Sequence, residues 1–162
     1  LVMGTRSGDI DPGVLFHLGR SGMDLAGLDH LLNRESGLLG LTGTGDMRDV
    51  QSKADAGDER AQAALAVYYH RLRHYLGAYL VALGGADAIV FTAGVGENNA
   101  NTRLATVEGL ESFGIVMDAA ANAEARRDER VVSASDSPIK VLVVPTNEEL
   151  QIARESVGAV TR

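Results

Sequence analysis

Residues 88–101 read Ala88-Ile89-Val90-Phe91-Thr92-Ala93-Gly94-Val95-Gly96-Glu97-Asn98-Asn99-Ala100-Asn101, an apolar run broken by a glycine-rich turn. The run 88–91 predicts a short buried strand. Beyond the turn, Leu104, Val107 and Leu110 recur at helical spacing and predict a helix over about 99–112. Strand, turn and helix in that order are the unit of an α/β domain. The turn residues Gly94, Val95, Gly96, Glu97 and Asn98 can be read in two ways. Glycines permit close backbone approach, and N–H groups at a helix start can meet phosphate oxygens, with Asn98 donating to an oxygen or a ribose hydroxyl. Neither P-loop spacing nor GxGxxG is present, however, and an ordinary tight turn accounts for the same residues.

Working outward, Ala61, Leu65, Tyr68, Leu72, Leu76, Tyr79 and Leu83 recur at steps of three and four, predicting one long amphipathic helix over 58–83. Gly84-Gly85 ends it. Upstream, MGTRSGDIDPG at 3–13 is a loop by composition, and Pro12 opens a helix to about Arg20 with Asp11 as cap. A helix with Asp24 near its start carries Leu25, Leu28, Leu31 and Leu32. A turn or two of helix from Ser36 leads into a Gly-rich loop, and Asp46 caps a short helix ending at Gly57. Downstream, 115–117 and 131–132 predict short strands and 118–127 an Ala-rich helix. A strand over 140–144 follows, and PTNEE starts a terminal helix, placed within 145–162. Helices alternating with short strands predict an α/β fold. Residues 3–57 are poor in strands and are expected to lean on partners outside this chain.

With 15 basic and 22 acidic residues the chain carries −7, which disfavours a broad nucleic-acid surface but not a small anionic ligand in a local basic site. The apolar fraction of 45% is that of a globular domain, and no apolar run is long enough to span a bilayer. Cys is absent, so disulfides and thiolate chemistry are excluded. No basic segment with an apolar run opens the chain, so a signal peptide is not expected. The opening LVMGTRSGD, dense in functional residue types without a lead-in, predicts a fragment of a longer protein.

Three further clusters carry chemistry. Arg6 stands in a Gly/Ser loop beside Asp9 and Asp11, where it can grip phosphate or carboxylate bidentately or be neutralised by either aspartate. In TGTGDMRDV, Arg48 can stack on a base or bind an anion, while Asp46 also reads as a helix cap. In PTNEEL, Glu148 and Glu149 either compensate a helix dipole or orient hydrated magnesium. His70 and His74 share a helix face, but without an HExxH pattern they read as surface residues. No Ser-His-Asp order is present, which leaves hydrolase chemistry without support.

These clusters together resemble the C-terminal part of the acetate kinase family. The matching stretches are MGTRSGDIDPG at 3–13, SGLLGLTGTGDMRDV at 36–50, FTAGVGEN at 91–98 and VVPTNEELQIAR at 143–154. The stretch between Leu41 and Asp46 is one or two residues shorter than the common family form. The resemblance implies the C-terminal part of an actin-like ATPase (ribonuclease H-like) domain of the sugar kinase/actin/Hsp70-like superfamily, with a mixed sheet and flanking helices. Residues 1–162 would be a fragment of its nucleotide-binding domain, with the N-terminal domain absent. It implies reversible phosphoryl transfer between ATP and acetate, giving ADP and acetyl phosphate, with Mg2+. Propionate or another short-chain carboxylate kinase, and a non-catalytic nucleotide-binding module, are the alternatives. By resemblance Arg6 stabilises the moving phosphoryl group, and Asp46, Met47 and Arg48 contact adenosine. Gly94 to Asn98 form the second nucleotide-binding loop, and Glu148 is the magnesium-associated carboxylate, with Glu149 as its alternative. A cytoplasmic homodimer is implied, with no nucleic-acid or membrane partner; the isolated chain is expected to be inactive.

Overall fold

All but one of the helix starts in the first half of the chain are set by an aspartate whose carboxylate replaces a missing intrahelical partner. The computed structural model describes residues 1–160 and divides them into two units that meet at Ala82 and Leu83. In the first unit, Asp11 accepts from Gly13 N at 2.6 Å and starts α1 (Pro12–Arg20). Asp24 accepts from Gly27 N at 2.7 Å and starts α2 (Leu25–Arg34). The helix expected from Ser36 is α3 (Gly37–Thr42), although Ser36 gives its hydroxyl to Leu31 O and makes no side-chain cap. Asp46 caps α4 (Met47–Asp55), and Asp58 accepts from Arg60 N and Ala61 N at the start of α5 (Glu59–Leu83).

Leu38, Met47, Val50, Ala54, Ala61, Ala64, Leu65 and Tyr68 form the core of this unit. Burying a side chain of Leu or Val size contributes roughly 1.5–3 kcal/mol, so α3, α4 and the first half of α5 hold one another. The stripe predicted along α5 is buried only as far as Tyr68. Leu72 and Leu76 are half-buried, and Tyr79, Val81 and Leu83 stand in solvent, because no described element of the first unit covers them.

The second unit is built on a three-stranded sheet in the order β1 (Ala88–Phe91), β3 (Lys140–Val143), β2 (Arg130–Val131). β1 and β3 run parallel with Phe91 opposite Val143, and β2 pairs antiparallel with β3, giving the mixed sheet expected. Val141 and Val143 are fully buried with Val107, Ile115 and Val132. β1 differs from expectation: Ala88 and Val90 are exposed, because it is the edge strand with one bare face. The strand expected at 115–117 is two single bridges, Ile115 to Ile139 and Met117 to Ser133.

Three helical expectations are corrected. The helix predicted over 99–112 is α7 (Ala100–Val107), ended by Gly109 at φ 76° and followed by a 3-10 turn over Glu111–Phe113. The Gly-rich turn before it is itself helical, α6 (Ala93–Asn98). The helix expected over 118–127 is α8 (Ala119–Ala123), which stops where the Asn122 carbonyl turns to Arg103. The terminal helix α9 runs Glu148–Val160; residues 161 and 162 of the expected span lie outside the described residues.

Candidate nucleotide-binding site

In the first unit, the Arg6 loop is bound to the α2–α3 junction through its backbone. Ser7 N donates to Leu32 O at 2.9 Å, Ser36 N to Thr5 O at 3.0 Å, Leu38 N to Met3 O at 2.9 Å and Leu39 N to Gly4 O at 2.8 Å. The fit leaves no room for side chains at the glycines. A Cβ on Gly4 would sit 2.8 Å from Gly45 O, and Gly37, at φ 64°, faces the Met3 carbonyl too closely for one. The contact between Gly4 and Gly45 brings the loop carrying Arg6 against the loop that leads to Asp46 and Arg48.

Both aspartates that compete for Arg6 in the sequence are engaged elsewhere. Asp9 is held by Arg71 and Tyr75, whose hydrogen bonds, the tyrosine's foremost, keep its carboxyl below the usual range. Asp11 caps α1. Among the described residues the exposed Arg6 guanidinium has no ion-pair partner, so it is available to an external anion.

Asp46 fills both roles read from its sequence. Its Oδ1 accepts from Arg48 N at 2.8 Å and from Arg48 Nε at 3.0 Å, while Oδ2 accepts from a guanidinium nitrogen at 2.5 Å. The Arg48 side chain, aided by the cap, lowers the Asp46 carboxyl to about 2. Arg48 is thereby pinned at the head of α4, yet its side chain remains 88% exposed, leaving the planar guanidinium free to stack. Met47 differs from both neighbours: its side chain is 7% exposed in the core, so only its backbone can touch a ligand.

In the second unit, the parallel pairing of β1 with β3 brings their carboxyl ends side by side, with Val144 N donating to Phe91 O at 2.9 Å. Ligands in open α/β sheets bind beyond such strand ends. The segments leaving those ends enclose an open cavity of about 410 Å3, lined by Ala93, Gly94, Thr146, Asn147, Glu148 and Glu149. Gly94 and Glu148, far apart in sequence, therefore face one space. Glu97 is turned to the clasp between the segments. Its Oε1 accepts from Thr146 N at 2.7 Å and from Thr146 Oγ1 at 3.0 Å, and the backbone bond lowers its carboxyl below the usual range.

A run with two glycines is a poor helix former; α6 is held because its last carbonyls, Gly96 O and Glu97 O, are satisfied from outside the ladder. Asn98 Nδ2 donates to Gly94 O at 2.9 Å, Asn99 N to Val95 O at 3.0 Å, and Arg103 Nη1 to both Gly96 O and Glu97 O at 2.9 Å. The chain enters α6 through Ala93 at φ 59°, the non-glycine left-handed position among the described residues. Arg103 is 2% exposed and also binds Asn122, through Nε to Oδ1 at 2.7 Å and through Nη2 to the carbonyl at 2.8 Å. Burial, with the nearby Arg130 charge, lowers the pKa of its guanidinium. Sequence reasoning did not single out Arg103, Asn122 or Thr146. An arginine inside a short amphipathic helix reads as surface, and nothing in its spacing announces burial.

Among the described residues no three potential ligands cluster as a metal cage. The Glu148 carboxylate at an open polar cavity fits instead a cation that keeps much of its water. No described helix is long and apolar enough to cross a membrane.

The order and content of these segments match a known family over residues 1–154, the model described as the acetokinase family. The chain belongs to the acetokinase family. It is 61% identical over 160 residues to an acetate kinase of Clavibacter michiganensis subsp. michiganensis, covering 98% of this chain and 40% of that protein. Among solved structures, an acetate kinase from Porphyromonas gingivalis superimposes with a TM-score of 0.90 at 44% identity, over 99% of this chain and 41% of that one. A propionate kinase from Francisella tularensis subsp. tularensis SCHU S4 gives 0.87 at 37% identity, over 96% and 40%. The acetokinase-family chain described here thus spans about 40% of the length of the relatives it matches, and it shares their mixed α/β fold with flanking helices.

Proposed function

We propose that the chain is a C-terminal portion of the nucleotide-binding domain of an acetate kinase, of the actin-like (ribonuclease H-like) class. The parent transfers a phosphoryl group reversibly between ATP and acetate, giving ADP and acetyl phosphate. The observation that carries this reading is the cavity beyond the parallel β1 and β3 ends, where Gly94 and Glu148 face each other. Gly94 lines it at the head of the nucleotide-binding segment Gly94–Asn98, whose Glu97 holds the clasp to Thr146. Arg48, pinned by Asp46, supplies a planar face for the base, and Met47 contributes backbone only. Glu148, with Glu149 as its alternative, would hold hydrated Mg2+, which supplies charge neutralisation at the phosphates when bound. Arg6, free of internal partners, meets charge on the moving phosphoryl group. The acceptor carboxylate is already ionised at neutral pH, so no general base is required.

Both the acetate and the propionate kinase relatives are closely similar here, and the residues that would choose the acyl chain are not among those assigned. Alone, the chain binds without catalysing. The parent is cytoplasmic and homodimeric, and the uncovered apolar stretch of α5 supports self-association. Calorimetry with ATP and Mg2+ should give saturable binding to the chain that Arg48→Ala weakens. Acetyl phosphate formation should appear in the full-length protein and be lost in its Arg6→Ala variant. Strong kinase activity from the chain alone, or nucleotide binding indifferent to Arg48, would overturn the assignment.

A further inference from the structure

A second cavity in the second unit, about 220 Å3, has no lining residue in common with the cavity at Glu148. It is lined by Arg103, Arg126, Arg127 and Arg130, with Glu97 and Glu124 as the carboxylates on its wall. Those carboxylates are engaged. Glu97 is given to Thr146, and Arg126 takes Glu124 at 3.6 Å and Asp128 at 2.5 Å. Three guanidiniums are left without an ion pair among the described residues.

Arg103, 2% exposed, answers its charge only with amide and carbonyl oxygens. Arg130 donates Nη1 to the carbonyls of Arg126 and Asp128, while its Nε is buried with no partner. The two cations are near enough for Arg130 to disfavour the charged form of Arg103. Like charges drawn partly out of water are costly unless an anion joins them. The cavity, about 220 Å3, has room for a hydrated oxyanion.

We propose that this cavity is an anion site, taking a small tetrahedral oxyanion of the phosphate type between Arg103, Arg127 and Arg130. Arg130 lines the cavity with no carboxylate of its own, and Arg127 adds charge from the exposed side. The cavity shares Glu97 and Asn98 with the segment assigned to the nucleotide, but no residue with the Glu148 cavity. It sits behind α6, since Arg103 also carries Gly96 O and Glu97 O.

The test is calorimetric titration of inorganic phosphate into the chain, paired with thermal shift against chloride at matched ionic strength. One-to-one saturable binding is expected, weakened about tenfold or more in Arg130→Gln, as loss of a charge-assisted hydrogen bond predicts. Arg127→Gln should weaken it by a smaller factor, and Arg20→Gln in α1 should not change it. Saturating ATP with Mg2+ should leave phosphate binding in place. Chloride matching the phosphate effect, unchanged binding in both variants, or one-for-one displacement by ATP would each overturn the proposal. Should Arg130→Gln fail to fold, the exposed Arg127 variant decides.

Discussion

The head of α4 and the whole of α6 are both proposed to bind nucleotide, yet they are built on opposite principles. At α4, one aspartate caps the helix and pins Arg48, and every bond runs between residues two apart. At α6, the conformation is held by Arg103, which reaches Asn122 19 residues away, and by Glu97, which reaches Thr146 at a separation of 49. A local device survives changes in its surroundings. A device assembled from distant residues fails with any one of them, so the two segments should respond differently to mutation.

The largest expected effect comes from removing the buried arginine. Arg103→Met leaves Gly96 O, Glu97 O and both Asn122 groups without their donor, which should cost about 3 kcal/mol or more in urea denaturation of the chain. Amide exchange should rise across α6 while α4 is unaffected. Loss of less than about 1 kcal/mol would show that α6 holds itself, and the contrast would collapse.

A smaller effect is expected at the clasp. Glu97→Gln keeps the shape but removes the charge that Thr146 binds, and should cost about 1 kcal/mol at neutral pH. The sign of its pH dependence follows from the lowered carboxyl. Its stabilisation is fully present above the ordinary value of 4.5 and fades as pH falls through the folded value below it. The variant should therefore lose that part of the acid dependence; denaturation curves at pH 7 and pH 4 compare the two. In the full-length protein the same change should raise the Mg2+ requirement, because Thr146 and Glu148 belong to one cavity wall.

The smallest effect belongs to α4. Asp46, with a carboxyl near 2 against an ordinary 3.8, contributes above about pH 4 and loses that contribution only as pH falls toward 2. Asp46→Asn should lower the melting temperature slightly, confined to the start of α4, and should free Arg48 to move. A chemical-shift titration that places Asp46 at its ordinary value would show that the pin does not exist in solution.

What was legible follows the same division. The aspartate caps of α1 and α4, Asp24 near the start of α2, the α5 periodicity and the β3 strand are legible, because each is a pattern within a few neighbours. The glycine-rich stretch reads as a turn, since propensity argues against a helix there and the support from Arg103 and Thr146 lies outside it. The expected burial of β1 failed for a related reason. An apolar run announces a strand, but only the sheet order tells that it lies at an edge with Val90 exposed. The sequence left Arg6 undecided between an aspartate and a ligand; the tertiary bonds of Asp9 to Arg71 and Tyr75 removed one competitor.

By itself the sequence determined the α/β class, most helix starts and the four segments that carry the family match, because these depend on residue type at short spacing. Only the tertiary structure decided that the Gly94–Asn98 segment is helical, that Arg103 is its buried support, and that Gly94 and Glu148 share one cavity. Those outcomes depend on which distant donors satisfy which carbonyls after burial, and no local pattern encodes that choice.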